Sequence, residues 1–315
     1  MSRRWLSGLS TGVGVIIAIA GGVFVARAIA DGYDASRDAI RDASVGWLLA
    51  SVPVAFAGMT LVGVPWRQSM RLLGARPSMR DTLVWYFLGQ LGKYVPGTLW
   101  PIVGRAELAR RGGVDRPSAY GSVVLTLGAT YLAAVLVVIG FLPVAGDNGA
   151  GDAWWVLLLL PIGLAVLHPA ILGWGRRTLE RIVRRPVDVV IPAWRDSVAL
   201  VVRHAPAWFF IGTATWLVAR AFDGDAGWAE LMVPSVLSWI VGFVVVPVPG
   251  GIGVREAAFT AAALSLDDGV GATVAVVSRL VFMLVDAGGA GIAALVSGRS
   301  RSSPSAPRDA GRAGS

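Results

Sequence analysis

Lys93, Arg105, Arg255 and Arg279 are cations placed in or beside long apolar stretches, and Glu107, Glu256 and Asp286 are the carboxylates nearest to them in sequence. Charged groups at membrane depth suit a limited chemistry: cations hold a phosphate or carboxylate that has left water, and carboxylates balance those cations or pass protons. Lys93 is the only lysine in a chain with 27 arginines. It stands three residues before a Pro-Gly break in "GKYVPGTLWP", and Arg255 and Glu256 follow a second such break in "PVPGGIGVRE".

Each of these residues also has a plainer explanation. Lys93 could snorkel to an interface. Glu107 lies three and four residues before Arg110 and Arg111, so pairing on a helix surface accounts for it. Arg105 has no carboxylate at those spacings, and Arg255 and Glu256 could pair with another helix. Arg279 and Asp286 share one face of a helix, about 10 Å apart along its axis, too far for contact with each other. The pairings to look for are therefore Arg279 with Glu256 and Asp286 with Lys93.

The elements that must position these groups are membrane helices. The chain of 315 residues is 55% hydrophobic and 15% charged, where a soluble domain carries about 25% charged residues. Mean hydropathy is +0.65. Apolar runs occupy Leu6–Ile29, Trp47–Pro65, Thr82–Trp100, Ser118–Leu142, Trp154–Gly173, Ala205–Phe222, Leu231–Val248 and Val270–Val296, with a half-length helix over Val254–Leu266. This is an all-α polytopic membrane protein. The first run has a basic start, but its apolar part is nearer about 20 residues than the 7–15 of a signal peptide, which reads as an uncleaved helix.

Zero cysteines exclude disulfides, thiolate metal sites and a cysteine nucleophile. His168 and His204 each precede a proline at the edge of a run, which suggests interfacial positions; no metal and no cofactor is expected. The net charge of +8 reads as a cytosolic face, with no nucleic-acid partner. The arginine-rich, lysine-poor composition suggests a GC-rich bacterial genome.

Arginine placement gives a topology. The N-terminus, Arg67–Arg80, Arg105–Arg116, Arg176–Arg203 and the tail after Gly298 hold 21 of the 27 arginines and read as cytosolic. The linkers around Arg27–Asp42, Asp147–Asp152, Asp223–Glu230 and Asp267–Asp268 are neutral to acidic and read as external. Thr82–Trp100 then has cytosolic sequence on both sides, and Leu231–Leu266 has external sequence on both sides. Both fit if each dips into the membrane and returns, bending at Pro96–Gly97 and at Pro249, Gly250, Gly251 and Gly253.

The predicted architecture is about six transmembrane helices plus two re-entrant helical hairpins in an inverted-repeat arrangement. Residues 1–298 form a single transmembrane domain with repeat-like halves at about 47–142 and 205–298, and 299–315 is a disordered cytosolic tail. Short helices starting near Thr98 and near Ile252–Gly253 would aim free N–H groups into a polar cavity between the hairpins, a place for an anion. "DAGGAG" (Asp286–Gly291) would admit a closely packed helix. Most tryptophans, among them Trp47, Trp66, Trp100, Trp154, Trp155, Trp174 and Trp208, read as an aromatic belt. Trp85 and Trp239, inside the hairpin segments, are the exceptions. Arg67–Arg80 and Arg176–Arg203 read as interfacial amphipathic helices.

"GKYVPGTLWPIVGRAELARRGGV" (Gly92–Val114), "PVPGGIGVREAAF" (Pro247–Phe259) and Arg279 together resemble the transmembrane domain of lysylphosphatidylglycerol synthases, a group also described as flippase-like integral membrane proteins. The resemblance spans roughly Trp47 to Val296. The first motif departs from the commoner "VPGxxGGD" form of the group. Lys93, Pro96, Gly97, Arg105 and Glu107 fall in the first family motif, Pro249, Gly250, Gly251, Gly253, Arg255 and Glu256 in the second, and Arg279 in the last helix. The resemblance implies movement of an anionic or aminoacylated lipid between leaflets; it implies no synthase activity, because the soluble catalytic domain has no counterpart in this sequence.

The resulting expectation is a lipid flippase or scramblase of the bacterial inner membrane, both termini cytosolic, acting on a phosphate-bearing lipid: an aminoacylated phospholipid, a polyprenyl-phosphate sugar or an envelope glycolipid. Lys93, Arg105, Arg255 and Arg279 would hold the headgroup. Glu107, Glu256 and Asp286 would balance charge or couple protons. No nucleotide-binding loop is present. The rival readings are an intramembrane transferase using Glu256 or Asp286 as base, and a non-transporting scaffold for cell-envelope synthesis enzymes. Membrane lipids are the expected partners; Gly-rich helix faces also suit a homodimer.

Overall fold

The computed structural model describes residues 43–94, 100–150, 153–222, 227–244, 253–266 and 268–301, all-helical with no strand among them. The first apolar run, the tail and the break residues Pro96, Gly97, Pro249, Gly250 and Gly251 lie outside the described residues.

Among the described residues, four helices are long and apolar enough to cross a membrane: α1 (Val45–Leu72), α4 (Arg116–Ala150), α7 (Trp194–Phe222) and α10 (Asp268–Arg301). Between α1 and α4 lie two short helices, α2 (Met79–Gln90) and α3 (Trp100–Arg111), with a 3-10 turn at Leu91–Tyr94 after α2. Between α7 and α10 lie α8 (Trp228–Val244) and α9 (Val254–Ala262). In each pair the second helix packs back on the first, so both are helical hairpins. The sequence α1–α2–α3–α4 thus has the same order of long, short, short and long helices as α7–α8–α9–α10.

The packing repeats as well. α4 packs on α8, and α10 on α2; α4 packs on α7, and α10 on α1. Contacts inside one set (α1 with α2, α2 with α3, α3 with α4, α1 with α4) recur inside the other, and α1 meets its counterpart α7 in the most extensive contact of all. Each of these helix pairs in one set thus has its partner pair in the other.

The ends and joints have local causes. Ser78 caps α2, its Oγ accepting from the Asp81 N–H at 3.0 Å. α3 ends at Gly113, whose φ of 97° lets the Val114 N–H reach the Ala109 carbonyl at 3.1 Å and the Gly113 N–H reach that of Arg110 at 3.1 Å. Within the bundle, hydroxyl and indole groups bridge helices: Ser69 to Thr126 at 2.6 Å, Trp66 Nε1 to Ser122 at 3.0 Å and Trp208 Nε1 to the Thr130 carbonyl at 2.7 Å. Between membrane helices such bonds replace the hydrophobic drive that lipid removes.

Several expectations are corrected. α1 does not stop at Pro65; it carries Pro53 and Pro65 inside the helix and runs to Leu72, so Arg67–Leu72 belong to it. α7 starts at Trp194 and absorbs the basic stretch up to Arg203, which places His204 inside the helix, fully buried, its Nδ1 2.8 Å from the Leu200 carbonyl. The fifth candidate span is bent: Trp155–Val166 and Pro169–Val183 meet at 63°. Its first part joins a 3-10 turn (Ala153–Leu158) to α5 (Leu159–Val166), and α6 (Pro169–Val183) follows. Pro169 cannot continue the helix before it and begins the next one, with the His168 Nδ1 accepting from the Ala170 N–H at 3.2 Å. The amphipathic helix expected from Arg176 therefore starts at Pro169. Trp66 and Trp208 are buried and bonded rather than belted, and the helix after the second break ends at Ala262, short of Leu266.

Candidate functional site

The two hairpins carry the same small structure. In "YFLGQ" (Tyr86–Gln90) and "WIVGF" (Trp239–Phe243) an aromatic residue precedes a glycine by three positions, so both lie on one face of the first arm. In each hairpin an arginine of the second arm lies over that face. Arg105 sits above the Tyr86 ring, 5.3 Å from its centroid, and Arg255 above the Trp239 ring at 3.7 Å. The glycines make room: a Cβ on Gly89 would overlap Arg105 Cγ, and one on Gly242 would lie 3.2 Å from Arg255 Cβ. Cation–π contact of this kind suits guanidinium groups held out of water.

Lys93 joins the two hairpins. Its Nζ pairs with Asp286 of α10 and also faces Trp239, 5.7 Å from the ring centroid, so the Trp239 indole is shared with Arg255. Asp286 is fully buried and also accepts from the Tyr94 hydroxyl at 2.5 Å, while its Oδ1 has no hydrogen-bond partner among the described residues. Directly beyond it, Gly289 receives the Phe87 ring so closely that a Cβ there would overlap it. This is how the glycines of "DAGGAG" let α2 approach α10.

Arg279, one face with Asp286, pairs with Glu256. The same carboxylate accepts from the Gly253 N–H at 2.7 Å, closing the N-terminus of α9. Gly253 has φ of 81°, a conformation that favours glycine. One of the N–H groups expected to face an anion at this helix start is thus taken by the helix's own Glu256. Beside it lies a narrow cleft lined by Arg255, Glu256 and the side chains of Thr215, Ser238 and Ser278 from α7, α8 and α10.

The structure therefore gathers Lys93, Arg105, Arg255, Arg279, Glu256 and Asp286 in one region, with Arg105 and Arg255 both within electrostatic reach of Lys93. Two carboxylates neutralise Lys93 and Arg279. Arg105 and Arg255 have no carboxylate partner among the described residues: Arg105 is 8% exposed, reaches only Gln90 Oε1 at 3.3 Å, and its Nε is buried without a partner. Tyr131 of α4 lies within electrostatic reach of both arginines and stacks on Phe243 at 4.0 Å.

Glu107 is elsewhere. It is at the surface of α3, bonded to Arg110 at 2.8 Å and Arg111 at 3.1 Å, and these two guanidinium groups hold its carboxyl down at about 2. Trp85, singled out by its position in the first hairpin, packs where a Cβ on Gly112 would be and takes no part in the cluster. Its neighbour Tyr86 does. Tyr86, Gln90, Tyr94 and Tyr131 were not evident from the sequence; the one available signal was the shared aromatic-x-x-Gly spacing of the two first arms.

The family model for the lysylphosphatidylglycerol synthase TM region matches residues 11–290, and the chain belongs to that family of multi-pass membrane proteins. No curated protein matches the sequence.

Proposed function

We propose that this member of the lysylphosphatidylglycerol synthase transmembrane family moves a phosphate-bearing lipid between the leaflets of a bacterial inner membrane, the headgroup passing through the cation cluster between the hairpins. The observation that carries this reading is the pair Arg105 and Arg255. One comes from each hairpin, each is held over an aromatic ring, and neither has a carboxylate partner among the described residues. Guanidinium groups stay charged when buried, so two such groups in one site invite an anion.

The geometry supports a division of labour. Arg105 and Arg255 bind phosphate oxygens, for which the guanidinium fork is suited. Lys93 and Arg279 set the local potential while Asp286 and Glu256 hold them in place. Because Lys93 links the first hairpin to α10, a headgroup that competes for Lys93 loosens that link, and the two sets of helices can then move against each other. Inverted repeats that rock about a central site are a common transport plan, and the exchanged packing of the two sets suits it. With both termini cytosolic, the first hairpin opens to the cytosol and the second to the outside.

The test is leaflet movement. Purified protein in liposomes containing a headgroup-labelled anionic phospholipid should expose inner-leaflet label to an external quencher faster than empty liposomes do. Rates no faster than those of empty liposomes for every candidate lipid would end this reading.

A further inference from the structure

Charge counting in the cluster narrows the class of headgroup. Lys93, Arg105, Arg255 and Arg279 contribute four positive charges, and among the described residues Glu256 and Asp286 contribute two negative ones. Each carboxylate makes its salt bridge with one cation. The remaining two charges sit on arginines, which do not deprotonate in proteins.

Arg105 is buried and Arg255 is half-buried. Arg105 is 8% exposed, with a buried Nε that has no hydrogen-bond partner. Arg255 is covered on one side by Trp239 and faces Phe282 at 5.4 Å on another. Aromatic faces attract a cation but supply no net charge, so the region keeps an excess of two. A zwitterionic headgroup leaves that excess untouched, a phosphodiester removes half of it, and a lipid carrying a cationic aminoacyl group adds to it. Only a group with two negative charges brings the buried region to neutrality.

We infer that the site takes a lipid-borne phosphomonoester or a diphosphate esterified at both ends, a dianionic headgroup held by Arg105 and Arg255 together. This rests on the proposed transport role for its physiological meaning and on the cluster alone for the binding. Arg105 approaches from the first hairpin and Arg255 from the second, and Lys93 of the first hairpin shares the Trp239 ring with Arg255. A dianion bridging the arginines would therefore tie the two hairpins to one ligand, which a monoanion held by either arginine does not do.

The test measures lipid binding by the full chain in a neutral detergent, at a pH of about 8 where a phosphomonoester is fully ionised. Phosphatidic acid, a short-chain polyprenyl monophosphate, phosphatidylglycerol and phosphatidylethanolamine are compared by thermal stabilisation and by retention in native mass spectrometry. The two dianionic lipids should bind about tenfold or more tightly than phosphatidylglycerol, a modest share of one extra charge interaction at short range. In Arg105→Gln, which lowers the excess to one, that preference should shrink toward parity. Wild-type binding with no preference for the dianions overturns the inference, as does a preference unchanged in both Arg105→Gln and Arg255→Gln. Inorganic pyrophosphate stabilising the protein as strongly as the lipids overturns the assignment to a lipid headgroup. Leaflet movement without dianion preference removes this inference and leaves transport standing. Dianion-selective binding without movement of any lipid upholds it and removes the transport role.

Discussion

Lys93 of the first hairpin and Asp286 of α10 form an ion pair across the bundle, and the two ends of that pair differ in exposure: the lysine side chain is 20% exposed and the aspartate 0%. The asymmetry decides which partner the structure can spare. Without Asp286, Lys93 still has a route to water. Without Lys93, Asp286 is a buried carboxylate left with one hydroxyl donor, Tyr94.

Lys93→Ala should therefore destabilise the protein more than Asp286→Ala, by about 3 kcal/mol or more for the lysine variant. The double variant Lys93→Met with Asp286→Leu should recover much of the loss, since no charge is then stranded. Melting temperatures in detergent check both statements, and equal losses in the two single variants would contradict the asymmetry.

Gly89 and Gly288 should respond to alanine with opposite signs. A Cβ at Gly89 collides with Arg105, and one at Gly288 meets nothing within 4 Å. Gly89→Ala should cost about 1–3 kcal/mol through overpacking. Gly288→Ala should gain up to about 1 kcal/mol from helix propensity. Thermal unfolding of the pair reads the signs directly.

Trp239 serves two cations with one ring. Trp239→Phe keeps an aromatic face under Arg255, whereas Trp239→Leu keeps volume and loses the face. The leucine variant should lose about 2 kcal/mol of cation–π stabilisation, and its phosphate-lipid affinity should fall further than that of the phenylalanine variant. Equal affinities in the two would mean that the ring acts only by filling space.

Glu107 is expected to be dispensable. Its carboxyl is held down at about 2, first by the hydrogen bond from Arg110 and then by that from Arg111. A carboxylate with a depressed folded-state pKa contributes stability above its ordinary range and loses it as pH falls through the folded value. The pair therefore stays formed at pH 4 and opens near 2. Being exposed, it matters little: Glu107→Gln should leave the melting temperature at pH 7 within about a degree and leave lipid movement unchanged.

The class of fold was legible because long apolar runs report directly on bilayer thickness. Two hairpins were legible because each apolar segment had the same kind of linker on both sides, but the first extends past Trp100 to Arg111, so Arg105 belongs to its second arm and not to a linker. The pairings of Lys93 with Asp286 and of Arg279 with Glu256 followed from spacing plus the cost of a lone buried charge. What stayed hidden was helix phase. Trp85 and Tyr86 are neighbours in sequence, yet only Tyr86 faces Arg105, and nothing local to that stretch distinguishes them. Glu256 as an N-cap partner depended on the left-handed φ at Gly253, which a three-glycine loop leaves open. The bend at Leu167–His168 lay within a run whose hydropathy does not change across it, with Pro169 as its one marker.

The most direct measurement is the rate of leaflet movement of a labelled phosphate-bearing lipid in proteoliposomes of wild type, Lys93→Ala and Arg255→Ala, each shown to be folded by its elution profile and melting transition. The account predicts movement with wild type and a loss of about tenfold or more in both variants, consistent with removal of a charge-assisted contact to the headgroup. Movement at the wild-type rate in both variants would contradict it.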